Sequence, residues 1–529
     1  MPPAGRALAV HHRGRSHLFP TLMPLRFALA ALTAVLLVLP ATAQPGAPDA
    51  TFGAAGVVRT PGFVPQRLAV QADGAVLAAG FTEAGPVVRR FLATGTPDVQ
   101  FGTAGEVRLP AAPGFSVSGL AALPNGYVVI VGGTFDEDTF LSSMVAMRLT
   151  PSGGLDPGFG DGGVYGLGGY FLFVGASVDV TPSGGFVLAA GVVQDFELAL
   201  QVRAFTASGA PDAAFGTAGV ATVRSSPDRF PFLSTVAVDA GGRIYLAGTF
   251  STDTGGYELF ALRLLASGGQ DPSFGGGMVT TPTPSDFAVA LGADVDASGR
   301  LVVAGYESFG DSDASGMVAA RYTETGALDA TFGAGGLFQW RGPSSAYATS
   351  VAPLVDGGVA LAGGLGELVD ESGDAVVVRL DAAGRFDSAF GAEGVARLGQ
   401  GIASTISALP DGRLLAAYSD EEGGAISRLM GGSATAGEAD PAAPALALTL
   451  AGPNPTRGAT AVHITLDAPA PMRASLVDAL GRTVAVLLDG TAREGDVIAV
   501  PVAGLAPGRY VVRAEAGGQR AMLPLTVVR

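Results

Sequence analysis

The chain has 529 residues, with 31 basic residues, 47 acidic residues and no cysteine. The lack of cysteine excludes disulfide bonds and thiol chemistry, and the formal net charge of −16 disfavours binding to nucleic acid or to anionic membranes. A hydrophobic content of 48% argues against disorder, while 79 Gly and 35 Pro are typical of many short strands joined by tight turns.

The chain begins with a leader-like segment. Residues 27–39 form an apolar run after Arg26, and a sequence of small residues follows that ends at Ala43. A short basic region, an apolar core and an Ala-x-Ala end are typical of a secretory signal peptide, and this core is too short to span a membrane. We therefore expect a signal peptide at residues 1–43, with residues 1–22 as an upstream extension. No transmembrane helix is predicted later in the chain.

The motif Asp-x-x-Phe-Gly then occurs seven times. Successive copies lie 49 to 59 residues apart, and their phenylalanines are Phe52, Phe101, Phe159, Phe215, Phe274, Phe332 and Phe390. A repeat of this length indicates one supersecondary unit copied along the chain. We expect each Phe to be a structural residue buried between neighbouring units, and each Asp to accept hydrogen bonds from the backbone amides that follow it.

Each module is predicted to contain four short strands. In the module from Gly335 to Phe390, the strands are predicted at residues 336–340, 348–352, 359–363 and 374–380. Short apolar runs bounded by turn residues indicate strands that are covered on both faces. The sequence therefore predicts an all-β fold in which residues 44–430 form a seven-bladed β-propeller of four-stranded blades. An open β-solenoid of stacked sheets is the alternative.

An arginine precedes most copies of the motif by eight residues. These arginines are Arg90, Arg148, Arg263, Arg321 and Arg379, with Arg428 at the same strand position in the last copy and Arg203 shifted by one. One interpretation is a repeated arginine–carboxylate pair between blades. The other is a ring of arginines that lines a central channel and binds an anion.

The loops between the third and fourth predicted strands are rich in carboxylates. Asp311, Asp313 and Ser315 resemble the start of a calcium loop, although Tyr322 stands where the closing Glu is expected, so calcium is a weak candidate and no other cofactor is predicted. Pairs of loop carboxylates could act as in a glycosidase, but no spacing singles out one pair. His463 is the only histidine after the leader, so we predict no catalytic residues.

The tail differs from the repeats. Residues 431–446 are small, polar and Pro-containing, which indicates a linker. Residues 447–529 contain alternating strand patterns without the Phe-Gly motif, and they predict a small β-sandwich.

Both regions resemble known families. The tail motifs resemble the type A C-terminal sorting domain of the type IX secretion system, through Pro453, Asn454, Pro455, Gly458, Asp478, Gly481, Gly508 and Tyr510, although the usual ending is replaced by residues 525–529. This resemblance implies export through the periplasm by the outer-membrane type IX secretion machinery. The repeat pattern from Arg321 to Gly333 resembles the delta-60 repeat family, which implies a propeller-like array and no particular activity.

These features predict a secreted or cell-surface propeller that serves as a binding or structural module, with an extracellular glycan or protein as its ligand. One alternative is an extracellular hydrolase that acts on glycans or peptides through the loop carboxylates. Another is a calcium-stabilised adhesin.

Overall fold

The computed structural model describes most of the chain from residue 44 to residue 528. The undescribed segments within this range are 111–114, 137–140, 172–174, 195–196, 225–230, 253–254, 284, 286, 309–314, 343–344, 367–372, 421–422, 432–446, 451–455, 457–459, 466–469, 479–482, 494–495, 503, 507 and 517–518. The predicted signal peptide and nearly all of the predicted linker thus lie outside the described residues. In the described part, no helix is long and apolar enough to cross a membrane.

The described repeat region consists of β1 (Val57–Pro61), groups of four consecutive strands that we number as units, and one short 3₁₀ turn at Gly275–Gly277. Unit 1 contains β2 (Phe63–Val70), β3 (Val76–Thr82), β4 (Gly85–Phe91) and β5 (Glu106–Arg108). Unit 2 contains β6 (Ser116–Ala122), β7 (Val128–Asp136), β8 (Leu141–Leu149) and β9 (Val164–Phe171). Unit 3 contains β10 (Ala176–Val180), β11 (Phe186–Gln194), β12 (Glu197–Phe205) and β13 (Val220–Arg224).

The later units follow the same order. Unit 4 contains β14 (Pro231–Val238), β15 (Ile244–Ser251), β16 (Tyr257–Leu264) and β17 (Met278–Thr281). Unit 5 contains β18 (Phe287–Val295), β19 (Leu301–Ser308), β20 (Ser315–Tyr322) and β21 (Leu337–Trp340). Unit 6 contains β22 (Ala346–Pro353), β23 (Val359–Gly366), β24 (Gly373–Leu380) and β25 (Val395–Gln400). Unit 7 contains β26 (Ile402–Ala408), β27 (Leu414–Asp420) and β28 (Gly423–Leu429), and β1 is its fourth strand.

Each unit is an antiparallel sheet in which consecutive strands of the chain pair with each other. The exception is β1, which comes first in the chain but pairs with β28 in unit 7. Units 4 and 5 are joined into one eight-stranded sheet by a single bridging pair, Tyr257 and Phe287. The boundary of the sequence module differs from the boundary of the sheet. Residues 337–340 were predicted to open a module, but they pair with β20 and complete the preceding sheet. Each sequence module is therefore divided between two neighbouring sheets.

The first strand of the region closes the last sheet. Residues Val57 to Pro61 pair with Ser427 to Gly423 across β1 and β28. Unit 7 is therefore built from both ends of the repeat region. This pairing joins segments more than 360 residues apart in sequence.

The core lies between neighbouring units rather than within any single one. The cluster around Phe159, for example, combines Val129 and Val131 of unit 2 with Phe186 and Leu188 of unit 3. The exposed fraction is 2% or less for every motif phenylalanine, namely Phe52, Phe101, Phe159, Phe215, Phe274, Phe332 and Phe390. The cluster that contains Phe52 includes side chains of units 1 and 7, so the first and last units are packed against each other.

The motif glycine is required by the backbone. Gly333, for example, has φ of 54°, which is the left-handed region, and a Cβ atom added there would lie 2.0 Å from the carbonyl oxygen of Leu337. The other motif glycines have φ between 54° and 57°. A side chain at this position would therefore be strained and would also collide with the strand that completes the sheet.

The described tail forms two further sheets. Its strands are β29 (Ala447–Leu450), β30 (Thr460–Thr465), β31 (Ala470–Asp478), β32 (Thr483–Ala492), β33 (Val497–Val500), β34 (Gly508–Ala516) and β35 (Gln519–Val527). One sheet has the order β29-β30-β33 and the other has the order β32-β31-β34-β35. Side chains of both sheets share apolar clusters, as when Ile464 and Ile498 pack with Met472 and Ala514. The tail therefore has a core of its own.

Candidate functional site

The motif aspartates form turns in every copy. The Oδ1 atom of each Asp accepts a hydrogen bond from the amide two residues later, at distances of 3.0 or 3.1 Å, in Asp49, Asp98, Asp156, Asp212, Asp271, Asp329 and Asp387. These bonds satisfy backbone donors at the sharp turn before the motif phenylalanine. The predicted role of the Asp as a turn residue is confirmed.

The repeated arginines pair with these aspartates, but not between blades as predicted. Each Arg forms an ion pair of 2.7–3.1 Å with the Asp eight residues later, in the pairs Arg90–Asp98, Arg148–Asp156, Arg263–Asp271, Arg321–Asp329 and Arg379–Asp387. In each pair the arginine lies on the third strand of a unit, and the aspartate lies in the connection from that strand to the fourth strand of the same unit. The link to the next unit is made instead by bonds from arginines to backbone carbonyls, for example from Arg321 to Ala382 at 2.8 Å.

The alternative of an arginine ring in a channel is wrong for these residues. Arg148, Arg263 and Arg321 are 1% exposed, and Arg379 and Arg428 are at most 5% exposed. Several of them also lie over the motif ring, as when the Arg321 guanidinium is 4.4 Å from the centre of Phe332. They are therefore enclosed between units, where Arg148, Arg263, Arg321 and Arg428 each contact a carboxylate, a carbonyl and an aromatic ring.

Unit 3 departs from this pattern. Ala204 stands eight residues before Asp212, and Arg203 bonds to Gln201 at 3.1 Å. Among the described residues, Asp212 has no arginine partner. The shift by one residue turns the arginine to the other face of β12, because successive strand residues point in opposite directions.

Other predicted site residues are scattered. Asp311 and Asp313 lie outside the described residues, while Ser315 begins β20 and its amide donates to the Ser345 hydroxyl at 3.1 Å. His463 is exposed on β30. Within the described residues, no group of three or more His, Cys, Asp or Glu side chains could hold a metal ion.

The sorting-motif residues are partly described. Pro453, Asn454, Pro455, Gly458 and Gly481 lie outside the described residues, and Asp478 ends β31. Gly508 begins β34, and Tyr510 is 8% exposed on the same strand. The Tyr510 hydroxyl donates to the carbonyl of Ala506 at 2.8 Å, which fixes the entry into the strand.

The structure brings together a set of residues that the sequence analysis did not select. A cavity of about 290 Å³ is lined by the first strands of all seven units among the described residues, β2, β6, β10, β14, β18, β22 and β26. These strands are the sheet edges on which the units converge. The cavity is therefore a central channel along the axis of the repeat region.

Three charged side chains line this channel. We call the positive-φ glycine in the turn after the first strand of each unit its turn glycine, as in Gly184 and Gly299. Asp179 lies on β10 and Asp294 lies on β18, each five residues before the turn glycine of its unit. Burial raises the pKa of Asp179 to about 6. Burial, together with the charge of Asp179 and of Asp296, raises the pKa of Asp294 to about 7. Burial also lowers the pKa of the third residue, Arg67.

Hydroxyl groups line most of the remaining wall. Some of them join neighbouring units: Ser234 donates to the carbonyl of Ala290 at 2.7 Å, and Ser404 donates to that of Pro65 at 2.8 Å. The second bond connects the last unit to the first. These hydroxyls lie at β-bulges, where the extra residue of the inner strand is free of the ladder and turns towards the next unit.

A second cavity lies among units 1, 2 and 7. It has a volume of about 510 Å³ and is lined by turn residues of units 1, 2 and 7, including Leu123, Pro124, Leu409 and Pro410. Arg413 and Arg428 of unit 7 also line it.

A comparison of the copies by their turn glycines would have identified the channel charges. Five residues before this glycine, the copies have Ala69, Ala121, Asp179, Ala237, Asp294, Ala352 and Ser407. Seven residues before it, Arg67 is matched by glycine or a hydroxyl residue in the other copies. The signal is therefore a charge at a position that is small and uncharged elsewhere.

Comparison with known families agrees with the topology. A family model described as "Domain of unknown function (DUF5122) beta-propeller" matches residues 242–274 and 297–332. The repeat region is a β-propeller. No curated protein matches the chain.

The solved structures that match the chain have low sequence identity to it and low TM-scores. Drosophila Semaphorin 2a is 8% identical with a TM-score of 0.44, and the match covers 91% of this chain and 98% of that one. The polysaccharide lyase Uly1 is 10% identical with a TM-score of 0.42, covering 69% and 90% of the two chains. The GH93 α-L-arabinofuranosidase of Fusarium graminearum is 12% identical with a TM-score of 0.38, covering 64% and 96%. Such low values carry no argument about activity.

Proposed function

We propose that this protein is a secreted or cell-surface binding module, built as a seven-bladed β-propeller and exported through its C-terminal domain. The observation that carries the binding role is the polar central channel, which all seven units line. Ligand sites are commonly concave and have a few convergent polar groups. The channel meets this description within a rigid frame of buried ion pairs.

Residues 447–529 are the proposed export domain, with the form of a small β-sandwich. Two observations support a separately folded unit: the two sheets share apolar clusters, and the sorting-motif residue Tyr510 lies in one of them. The predicted signal peptide would direct the chain to the periplasm, and the tail would then be recognised by the secretion machinery at the outer membrane.

The export role can be tested by deletion of residues 447–529. We expect the truncated protein to accumulate in the periplasm, while the full chain reaches the medium or the cell surface. Fractionation of cells of a host with type IX secretion, followed by immunodetection of the propeller, gives the readout. The matched control is Arg473→Gln, which removes a loose, exposed ion pair with Asp489 and should be exported normally. Unchanged export of the deletion variant would refute the sorting role.

The binding role can be separated from hydrolysis by one screen. The purified mature protein is applied to glycan and peptide arrays, and every ligand found is then incubated with the protein to detect cleavage. We expect retention of a ligand without turnover. Cleavage would favour the hydrolase alternative, and a lack of any retained ligand would argue for a purely structural module.

A further inference from the structure

Two carboxylates line one side of the channel, and one of them has an oxygen atom that accepts no hydrogen bond from the described residues. Asp179 and Asp294 occupy equivalent positions, and the Oδ1 atom of each accepts a bond of 2.7 Å from the next amide in its own strand. The Oδ2 atom of Asp179 accepts a second bond of 2.7 Å, from the amide of Val238 in the following unit. The carboxylate of Asp179 is therefore fully engaged by backbone donors.

Asp294 lacks this second bond because the corresponding residue of the next unit has no amide hydrogen. The residue of unit 6 that corresponds to Val238 is Pro353, four residues before the turn glycine in each case. Proline has no amide hydrogen, so it cannot donate to the Oδ2 atom of Asp294. In the described part of the chain, no hydrogen bond reaches this atom. A half-buried carboxylate that lines the cavity thus retains an open acceptor.

Two hydroxyls in the same channel also lack partners. Ser177 is 7% exposed and Thr405 is 6% exposed, and both line the cavity. Neither hydroxyl has a hydrogen-bond partner among the described residues. Both side chains border the cavity, and neither oxygen is enclosed by protein, so each hydroxyl is open to a ligand or to water in the channel.

The channel has a positive side as well. Arg67 lies on unit 1, and its Nε and Nη1 atoms donate to the carbonyls of Ser118 and Gln66 at 2.9 and 2.8 Å. No carboxylate pairs with Arg67 in the described residues, which leaves the guanidinium charge without a counterion and its Nη2 atom without an acceptor. Arg67 is two residues further from the turn glycine than the aspartates, which corresponds to about 7 Å along a strand.

We propose that the central channel binds a small zwitterion of about dipeptide length, with its ammonium group at Asp294 and its carboxylate group at Arg67. In the ring of units, unit 5 lies across the channel from unit 1, so the two open charges face each other from opposite walls. Ser177 and Thr405 occupy the same repeat position as Arg67, so they supply hydrogen bonds at the carboxylate end of the ligand. The inference rests on the proposed binding role, to which it adds a site and a ligand class.

The ligand class is tested on the wild-type protein first. Calorimetric titration of the mature protein with Ala-Ala is compared with N-acetyl-Ala-Ala, which lacks the ammonium group, and with Ala-Ala-amide, which lacks the carboxylate. We expect Ala-Ala to bind and each capped form to bind at least tenfold more weakly. No binding of Ala-Ala, or equal binding of a capped form, overturns the proposal. Array binding of a larger ligand that Ala-Ala does not displace would leave the binding role intact.

Variants then place the ligand in the channel. Asp294→Asn and Arg67→Gln should each reduce the affinity for Ala-Ala at least tenfold, and Asp161→Asn, on an exposed turn, is the control that should not change it. Pro353→Val restores the missing amide, and we expect it to weaken binding at least threefold because Asp294 then gains an internal donor. Unchanged affinity in Asp294→Asn, with thermal unfolding still cooperative, would show that the ligand binds elsewhere.

Discussion

Arg428, near the end of the repeat region in sequence, pairs with Asp49 at its beginning. The Nε atom of Arg428 donates to the Oδ2 atom of Asp49 at 2.8 Å, although the two residues are 379 positions apart in sequence. Asp49 also accepts from Thr51 and Arg413, and these bonds with the Arg428 charge outweigh the effect of burial and hold its pKa well below the usual range. In the other copies that contain it, the corresponding ion pair joins residues eight positions apart. Here it joins the two ends of the repeat region.

This closure predicts a large effect for Arg428→Gln. The substitution removes the more buried of the two arginine partners of Asp49, which is 5% exposed and keeps Arg413, and we expect a loss of about 1.5–3 kcal/mol in the free energy of unfolding. Hydrogen exchange should increase first in Val57–Pro61, the strand that completes unit 7. Denaturant unfolding and exchange mass spectrometry give the readouts. Arg108→Gln, at a 65% exposed side chain, is the control and should cost less than about 1 kcal/mol.

The acid stability of the closure follows from the lowered pKa of Asp49. A carboxyl whose pKa is lower in the folded protein than in the unfolded chain stabilises the fold above its unfolded pKa, and this contribution is lost as the pH falls. We expect the melting temperature of the wild type to fall as the pH is lowered below about 4. In Asp49→Asn this part of the acid transition should be absent. An identical acid transition in both proteins would contradict the assignment.

The channel carboxylate Asp294 has the opposite pH dependence. Its pKa is raised to about 7, so the folded state binds the proton more tightly than the unfolded chain, and stability falls as the pH rises from about 4 through 7. We expect Asp294→Asn to be more stable than the wild type at pH 8, by at most about 4 kcal/mol, and nearly equal to it at pH 4. Calorimetry across this range measures the difference, with Asp161→Asn as the exposed control. A variant that is less stable at pH 8 would contradict the prediction.

Replacement of a motif phenylalanine should create a cavity between two units. Phe332 is fully buried and packs with Phe338 and Val376 across units 5 and 6. We expect Phe332→Ala to cost about 3–5 kcal/mol, measured by denaturant unfolding. Phe81→Ala, at a ring that is 43% exposed, should cost less than about 1 kcal/mol. Similar losses in both variants would argue against the role of the motif in packing.

The Tyr510 hydroxyl should contribute a smaller amount in the tail. Tyr510→Phe keeps the ring in its apolar cluster but removes the hydrogen bond to Ala506. We expect a loss of about 1 kcal/mol in the unfolding of residues 447–529, followed by calorimetry of the full chain. The exposed variant Arg473→Gln should leave this transition unchanged.

The repeat region was predictable because its signals are local and repeated. Asp-x-x-Phe-Gly contains a turn carboxylate, a buried ring and a glycine in the left-handed region, and each of these requirements is met within a few residues. The strand patterns of the tail were predictable for the same reason: residues 509–513, for example, lie within β34.

The partners of strands were less predictable. The sequence module from Gly335 to Phe390 suggested one blade, yet β21 completes unit 5 while the following strands form unit 6. A strand pattern states that a segment is extended and covered, but it does not state which neighbour it pairs with. The arginine pairs were misplaced for the same reason, since a spacing of eight residues does not reveal which unit the partner belongs to.

The sequence by itself determined the all-β character, the repeating unit, and the residues that every copy needs, because those depend on short-range geometry and on burial of one ring per copy. Only the tertiary structure decided how the ends meet, through β1 in unit 7 and the pair Arg428–Asp49. It also placed Arg67, Asp179 and Asp294 in one channel. These contacts join residues up to 379 positions apart in sequence. Such residues meet because the units are arranged in a ring, and no local sequence pattern specifies that arrangement.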